Sequence, residues 1–266
     1  MHRLCWLILI LISLSLGKII LLINFIQLII GYNETCQFNQ SIDLSKGFVN
    51  ITDLYIDLSS SLTIAFWFYL PFYADTSQEY TIISIGNSQC NFPGEEFSIQ
   101  VSDQDYIVNN SCNHGTWSFK PKMPRNHWNF IVLTRSQNKV YLDLNEWNAM
   151  ENLVNMGSVG GGLSYKNVNF GRRILTGKQA NVGYLNEIRI WARTSLSPSD
   201  IKNKIVTSGL VASWNGTIVQ SKLKDSAGNH DGELSDPNVI VNACNIEGNS
   251  HFNLHCLCLY KIALTK

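Results

Sequence analysis

One short run restricts the possible folds more than any other feature of the sequence. Residues 62–70 read Leu-Thr-Ile-Ala-Phe-Trp-Phe-Tyr-Leu, and aromatic and β-branched residues of this kind favour a pleated strand. Both alternating sets of side chains are largely apolar, so the run predicts a central strand that is covered on each face. Similar short runs recur between Gly, Asn and Pro residues, without alternating helices. The pattern therefore predicts an all-β fold, an antiparallel β-sandwich or jelly roll.

Two runs in the middle of the chain predict a β-hairpin. Residues 128–135 and 139–144 flank the polar segment 136–138, which suits a tight turn. Apolar and polar residues alternate, so we expect the hairpin to have one buried face and one solvated face. The Ser-Pro pair at 197–198 can begin a short helix that ends near 206–209. We expect this helix to cap the sandwich rather than to form a second layer.

The beginning of the chain carries a hydrophobic targeting signal. A basic start precedes an apolar run at residues 4–16, which is the layout of a secretory signal peptide. A second apolar run at 19–30 follows Lys18, and together the two runs are long enough to span a bilayer as an uncleaved hydrophobic helix. The sequence leaves both alternatives, signal peptide and signal anchor, open for residues 1–32. Both predict a secreted or cell-surface protein.

Cysteines and glycosylation motifs fit such a location. Six cysteines remain if Cys5 lies in the targeting segment, and an even number in an exported chain predicts disulfides. Our preferred pairs are Cys90–Cys112 and Cys36–Cys244, although the count alone leaves other pairings open. Asn-x-Ser/Thr motifs predict N-glycosylation at Asn33, Asn39, Asn50, Asn109 and Asn215.

Domain organisation and net charge restrict the classes of partner that the chain is expected to bind. We expect a sandwich domain at residues 33–240 after the targeting segment, and a cysteine-containing tail at 241–266. The formal net charge is zero, with 20 basic and 20 acidic side chains. Because binding to nucleic acid normally needs an excess of positive charge, we expect no nucleic-acid partner. A membrane partner is expected only if the N-terminal segment stays uncleaved.

Several motifs resemble a known family. The run at 62–68 is similar to the opening strand of laminin-G-like jelly-roll domains. The segment 127–134, which begins His-Trp, and the Val-Tyr-Leu-Asp segment at 140–143 resemble the paired strands of the same family. Asn145 stands where the family often has glycine after its aspartate, so the turn at this position departs from the pattern.

The closest resemblance lies in the second half of the chain. Residues 183–197 are similar to the family pattern Gly-x-hydrophobic-Asp-Glu-hydrophobic-Arg, and Asn186 replaces the usual aspartate. Residues 209–214 also look like a family segment. Over residues 40–236 the chain is identified as a member of the laminin-G-like, concanavalin A-like lectin/glucanase jelly-roll family. Fold-level resemblance says little about the ligand.

The resemblance raises the question of catalysis, because some relatives on this fold are glycosidases. A glycosidase of the retaining kind needs two carboxyl groups that face each other. The sequence lacks the acidic strand motif of the related glucanases, and we expect Glu187 to have a structural role, either in pairing with Arg189 or in binding backbone amides. We therefore expect no enzymatic activity. A carbohydrate-active hydrolase whose acids do not align with that motif is the alternative.

Calcium is the candidate cofactor that the resemblance implies. Related sandwiches bind calcium through loop carboxylates and carbonyl groups, because the ion prefers many oxygen ligands. The candidate ligands in this chain are Asp103, Asp105, Asp143 and Asn145. No other cofactor is indicated.

Aromatic residues beside predicted loops are the candidate ligand-binding residues: Trp117, Trp147, Tyr73 and Tyr106. Such a ring can stack on the C–H face of a sugar or anchor a protein partner. We therefore expect an extracellular or cell-surface binding and adhesion module that recognises a glycan or a protein. A purely architectural domain of a longer cysteine-rich surface protein is a third alternative.

Overall fold

A computed structural model provides the structure of the protein. The chain divides into two compact units, Met1–Gln37 and Phe38–Lys266, and all described residues belong to the second. The structure describes residues 38–57, 61–74, 79–86, 96–102, 107–111, 115–119, 122–136, 139–145, 154–155, 164–165, 167–180, 182–192, 196, 200–201, 206–243 and 246. The predicted targeting segment and the cysteines of the preferred disulfides lie outside this set. Within it, no helix has the length and hydrophobicity needed to cross a membrane.

The described residues contain eighteen strands and one 3-10 turn. The strands are β1 Gln40–Asp43, β2 Val49–Ile51, β3 Ile56–Asp57, β4 Leu62–Tyr69, β5 Tyr80–Gly86, β6 Glu96–Val101, β7 Ile107–Ser111, β8 Gly115–Phe119, β9 Trp128–Ser136, β10 Lys139–Leu144, β11 Val154–Asn155, β12 Ser164–Tyr165, β13 Asn167–Phe170, β14 Tyr184–Ala192, β15 Leu210–Val219, β16 Lys222–Asp225, β17 Gly232–Leu234 and β18 Ile240–Asn242, and the 3-10 turn is η1 Pro237–Val239.

Antiparallel pairing connects sixteen of these strands in one sheet. The order along the sheet is β11-β10-β9-β4-β14-β15-β16-β17-β2-β13-β5-β6-β7-β8, and β1 pairs with both β14 and β18. The remaining two strands, β3 and β12, pair with each other. The predicted all-β antiparallel fold is confirmed.

A single main core shows that the sheet curls over on itself. Ile64 and Phe66 of β4 belong to the same buried cluster as Ile83 of β5 and Phe97 of β6. Because β4 and β5 lie far apart in the strand order, their side chains can share a core only if the two ends of the sheet face each other. The arrangement is consistent with the predicted sandwich.

Strand β15 joins the two parts of the curled sheet. It pairs with β14 up to Trp214 and with β16 from Trp214 onward, and its register shifts between Trp214 and Ile218. Gly216 lies in this shift with φ of 87°, and a β-carbon there would be 3.1 Å from the backbone oxygen of Gln40. Only glycine fits such a conformation and such a close approach without strain.

Strand β4 is covered on both faces, as its sequence predicts. Ile64, Phe66 and Phe68 point into the main core. On the other face Ala65 belongs to a smaller outer cluster. The prediction of a central strand with two buried faces is therefore confirmed.

The outer cluster explains how the segment after β14 packs. Phe130 and Val132 of β9, Trp191 of β14 and the fully buried Ile201 form this cluster with Ala65. The indole nitrogen of Trp191 donates a hydrogen bond to the carbonyl of Val206 at 2.7 Å. Ile201 lies within the predicted capping helix, of which the structure describes only the helical backbone at residues 200–201. The full helix stays a prediction.

The predicted hairpin is present, but its predicted solvated face is wrong for β9. Strands β9 and β10 pair with Lys139 opposite Ser136, which leaves two residues in the turn. On β10, Leu142 is buried and Tyr141 is exposed, as expected. On β9, Leu133 and Val132 are both buried. The outer face of β9 is covered because the segment after β14, more than sixty residues later in the sequence, folds across it.

The two ends of the described domain meet. Gln40 of β1 pairs with Asn242 of β18, and the amide of Ala243 donates to the carbonyl of Asn39 at 3.2 Å. Strand β18 therefore extends the sheet two residues past the predicted domain end at residue 240.

Candidate functional site

The most exposed large apolar side chains of the described residues occupy one turn. The segment 71–74, which we call the aromatic turn, follows β4 and reads Pro-Phe-Tyr-Ala. Phe72 is 73% exposed and Tyr73 is 80% exposed. The amide of Ala74 donates to the carbonyl of Pro71 at 3.1 Å and closes the turn. Two adjacent aromatic rings in water are costly to solubility, and neighbouring exposed rings of this kind typically mark a binding surface.

Arg125 holds the aromatic turn from one side. Its guanidinium donates to the carbonyl of Phe72 at 2.8 Å and to the carbonyl of Ala74 at 2.9 Å. Each is a charge-assisted hydrogen bond, which is stronger than a bond between neutral groups. The backbone under the two rings is therefore fixed by a residue more than fifty positions later in the chain.

Asn126 also fixes the aromatic turn through hydrogen bonds to its backbone. Its side-chain oxygen accepts a hydrogen bond from the amide of Phe72 at 2.6 Å, and its own amide donates to the carbonyl of Leu70 at 2.8 Å. Asn126 has φ of 58°, a conformation that asparagine adopts more readily than most residues. The aromatic turn is thus tied at both ends, which lowers the entropy lost when a ligand binds to it.

A second tyrosine borders the turn. The hydroxyl of Tyr184, at the start of β14, lies 3.3 Å from the hydroxyl of Tyr73. Burial raises the pKa of Tyr184 well above its ordinary value, and the hydrogen bond with Tyr73 and the charge of Asp43 act in the same direction. The phenol therefore stays protonated and neutral. The two hydroxyls supply polar hydrogen-bonding groups next to the exposed rings.

A series of packed aromatic rings supports Tyr184. Tyr184 packs against Tyr69 with ring centroids 6.0 Å apart, and Tyr69 packs against Trp128 at 5.6 Å. Trp128 in turn packs edge-on against Phe38 at 4.9 Å. We call Phe72, Tyr73 and Tyr184 the aromatic surface. Its base is rigid because edge-to-face contacts connect Tyr184 to the rings of Tyr69, Trp128 and Phe38.

Tyr73 is the predicted binding residue that the structure places on this surface. The backbone of Trp117 is described in β8, but its side chain is not, and Trp147 and Tyr106 lie outside the described residues. Sequence reasoning missed Phe72 and the supporting Arg125 and Asn126. A signal for Phe72 was present, since Pro-Phe-Tyr directly follows the strongest strand.

The predicted calcium ligands are only partly described. Asp103 and Asp105 lie outside the described residues, and Asp143 is half-buried on β10. The side-chain oxygen of Asn145 accepts from the amide of Phe130 at 2.8 Å. Among the residues that the structure covers, no three His, Cys, Asp or Glu side chains group as a metal site. Calcium therefore stays a prediction that depends on the residues outside the described set.

Two of the described acidic residues, Glu187 and Asp225, make contacts within the fold. Glu187 forms an ion pair with Arg189 at 2.9 Å, as the sequence predicts. The buried carboxylate of Asp225 accepts hydrogen bonds from the amides of Ser213 and Ala227, both at 2.9 Å. These contacts give both acids structural roles.

The predicted glycosylation sites differ in exposure. Asn39 and Asn215 are exposed, and Asn50 is half-buried on β2. Asn33 lies outside the described residues, and the side chain of Asn109 is not described. The side-chain oxygen of Asn215 accepts from the amide of Thr217 at 3.2 Å.

Comparison with protein families decides the relationship that the fold suggests. The model of the concanavalin A-like lectin/glucanases superfamily matches residues 43–202, which is more than half of the chain. The protein belongs to this superfamily. The match includes the aromatic turn, Arg125 and the start of β14. No curated protein sequence matches the chain.

Several solved structures are similar to this superfamily member. A protein from Bacteroides ovatus that has been proposed to bind carbohydrate is 15% identical, with a TM-score of 0.53 over 77% of this chain. The chain spans 59% of that protein's length. A heptameric SAP-like pentraxin from Limulus polyphemus is 13% identical, with a TM-score of 0.47 over 64% of this chain and 83% of the pentraxin. Domains LG4-5 of the mouse laminin α1 chain are 11% identical, with a TM-score of 0.43 over 61% of this chain and 44% of the laminin segment.

Proposed function

We propose that this superfamily domain is a binding module that recognises a glycan through the aromatic surface and does not turn it over. The observation that carries the proposal is the aromatic turn, in which Phe72 and Tyr73 are exposed on a backbone fixed by Arg125 and Asn126. Adjacent exposed aromatic side chains form an apolar patch, and such patches commonly mark interaction sites. A prearranged pair of rings is suited to ligand binding.

A glycan fits this surface better than a purely apolar ligand. Sugar rings present C–H faces that stack on aromatic rings and hydroxyls that need hydrogen-bonding partners. The neutral hydroxyls of Tyr73 and Tyr184 offer such partners beside the rings. The same class of ligand has been proposed for the Bacteroides ovatus protein, whose likeness to this chain concerns the fold. An extracellular protein ligand is the other outcome that the test below must distinguish.

The proposed location is extracellular, either secreted or at the cell surface. The support is the hydrophobic N-terminal sequence, the even cysteine count beyond it and the exposed Asn39 and Asn215. An uncleaved N-terminal segment would add a membrane anchor to the binding module. Enzymatic deglycosylation followed by mass spectrometry tests the glycosylation sites directly.

A glycan array tests the proposed binding. We expect the purified chain to bind a defined group of glycans, and we expect Phe72→Ala/Tyr73→Ala to bind them at least about tenfold more weakly, since such anchor residues contribute more than ~1.4 kcal/mol. The thermal stability of the variant should be unchanged, because both side chains are exposed. Tyr55→Ala is the matched control, since Tyr55 is a 59% exposed tyrosine outside the aromatic surface, between β2 and β3. Wild-type binding by Phe72→Ala/Tyr73→Ala, or an equal loss of binding by Tyr55→Ala, would refute the proposed surface.

The same glycans test for catalysis. Incubation of each bound glycan with the wild-type chain, followed by a reducing-end assay, should show no new reducing ends. Hydrolysis would establish the glycosidase alternative and would contradict the proposal of binding alone. Absence of any glycan binding, together with specific retention of an extracellular protein by the aromatic turn, would favour a protein ligand.

A further inference from the structure

An open pocket lies beside the loop that joins β1 to β2. Its volume is about 470 Å³, and its lining residues are Phe48, Arg172, Gly177, Lys178 and Gln179. This volume is within the usual range for a small-molecule site. The described lining includes two cationic side chains and no acidic one.

Arg172 is the central group of the pocket. Its guanidinium carbon lies 4.6 Å from the centre of the Phe48 ring, which is a cation–π contact. The side chain is half-buried. Within the described part of the chain, no carboxylate pairs with this guanidinium. The cation–π contact engages one face of the group, and the N–H donors lie at its edge.

The loop that carries these residues is built to leave room for the guanidinium. Gly177 has φ of 67°, and a β-carbon there would lie 3.2 Å from a terminal nitrogen of Arg172. The amide of Gly177 donates to the carbonyl of Arg173 at 2.8 Å, and the amide of Arg173 donates to the carbonyl of Lys178 at 2.9 Å. The turn is therefore closed by backbone bonds that require no ligand.

Phe48 is also fixed in place. Its amide donates to the hydroxyl of Ser235 at 2.8 Å, and its carbonyl accepts from the amide of Ser235 at 3.0 Å. The neighbouring acid, Asp236, uses its carboxylate to accept from the amide of Asn238 at 2.7 Å and so caps η1. The aromatic ring under Arg172 is thus held by the backbone, and the nearby carboxylate has a partner of its own.

We propose that this pocket binds an oxyanion, a sulfate or carboxylate group carried by an acidic sugar. The planar guanidinium matches the two oxygens of such a group, and Lys178 adds a second positive charge at the rim. The geometry differs from that of the aromatic surface, which offers rings and neutral hydroxyls. The pocket therefore provides a separate subsite. That a sugar carries the oxyanion rests on the proposed glycan function, whereas oxyanion binding itself is tested independently of the aromatic turn.

The loop between β1 and β2 contacts the residues that precede Tyr184 and Arg172. The loop at 44–48 begins where the amide of Leu44 donates to the carbonyl of Gly183, the residue before Tyr184, and it ends at Phe48. Gly171, the residue before Arg172, lies against Leu44.

Side-chain NMR of arginine tests the proposal. The ¹⁵N-labelled chain is titrated with sodium sulfate and with sodium acetate, against sodium chloride at matched ionic strength. We expect the Nε–Hε signal of Arg172, assigned by its loss in Arg172→Lys, to shift saturably with at least one of the two oxyanions. Glucose 6-sulfate, glucuronate and glucose then separate a sulfate-carrying from a carboxylate-carrying sugar, and glucose should have no effect on this signal.

Variants with matched charge changes give the controls. Lys178→Gln should weaken oxyanion binding severalfold, whereas Lys222→Gln, which removes an equal charge from an exposed ion pair with Glu233, should not. Phe72→Ala/Tyr73→Ala should leave the Arg172 response intact, so failure of the aromatic surface and failure of the pocket are distinguishable. A linear response equal to that in chloride, or equal weakening by Lys178→Gln and Lys222→Gln, would overturn the proposal.

Discussion

Two asparagines show how single residues adapt the fold of this superfamily. The buried amide nitrogen of Asn186 donates to the carbonyl of Gln40, and its oxygen accepts from the amide of Glu187 at 2.6 Å. An aspartate, which is usual in the family pattern, would place a carboxylate oxygen against the carbonyl of Gln40. Asparagine at this position is therefore explained by the need for a donor, which removes the negative charge that a metal ligand would supply.

Asn145 is the second adapted residue, and it leads to a prediction on stability. It has φ of 56°, its oxygen accepts from the amide of Phe130 at 2.8 Å, and its nitrogen donates to Asn129 at 2.8 Å. We expect Asn145→Ala to lower the free energy of unfolding by about 2–4 kcal/mol, from lost hydrogen bonds and backbone strain. Asn145→Gly relieves only the strain and should cost about 1 kcal/mol less. Urea unfolding of both variants measures the difference; equal losses would show that strain plays no part.

Asp231 predicts a pH-dependent contribution to stability. A hydrogen bond from the backbone amide of Asp225, reinforced by Lys224, holds the pKa of Asp231 below its usual value. A lowered pKa in the folded state stabilises the fold above the unfolded-state pKa, and this contribution is lost as the pH falls through the folded-state pKa. We expect Asp231→Asn to be slightly less stable than wild type at neutral pH and equal to it in acid. Urea unfolding across a pH series checks this, and a difference that persists in acid would contradict it.

At the scale of elements, the outer cluster shows what local sequence could and could not predict. The β9–β10 hairpin follows from two neighbouring runs and the polar turn between them. The two-faced burial of β4 follows from the apolar side chains on both of its faces. Both features are local in sequence, so the sequence predicts them. The burial of the second face of β9 depends on Ile201 and its neighbours, which arrive from a distant part of the chain. Local alternation carries no information about such a cover.

Substitution of Ile201 tests whether the segment after β14 buries the second face of β9. We expect Ile201→Ala to lower the free energy of unfolding by about 2–5 kcal/mol, because it leaves a cavity in a fully buried site. The fluorescence of the native state should also change, since Trp191 lies in the same cluster. Val219→Ala, at an exposed position on β15, is the matched control and should change stability by less than about 0.5 kcal/mol. Equal effects of the two substitutions would show that the segment does not cover the sheet.

At the scale of the whole molecule, the pairing of β1 with β18 brings the two ends of the domain together. A backbone hydrogen bond joins Ala243 to Asn39. In the sequence Cys244 directly follows Ala243, and Cys36 precedes Asn39 by three residues. We therefore expect a Cys36–Cys244 disulfide in the protein recovered from an oxidising compartment. A non-reducing peptide map should contain the linked pair, and free thiols at both positions would rule it out.

The candidate site itself was only partly predictable for the same reason as the outer cluster. Tyr73 is visible in the sequence as an aromatic residue beside a loop. The contact that makes it a binding candidate comes from Arg125, which binds the carbonyls of Phe72 and Ala74 across the fold. The stacking of Arg172 on Phe48 is likewise a tertiary contact between distant positions. Composition and alternation predict the layers, but they do not predict which loops meet at the end of the domain.

The proposed role depends most directly on contact between a sugar and the aromatic turn. The chain, labelled with ¹³C in its phenylalanine and tyrosine rings, is titrated with the glycan that it binds most tightly on the array. The account predicts saturable shifts of the Phe72 and Tyr73 ring signals, with smaller changes at Tyr55, which is exposed but outside the aromatic surface. Saturable binding that leaves the Phe72 and Tyr73 signals unmoved would contradict it.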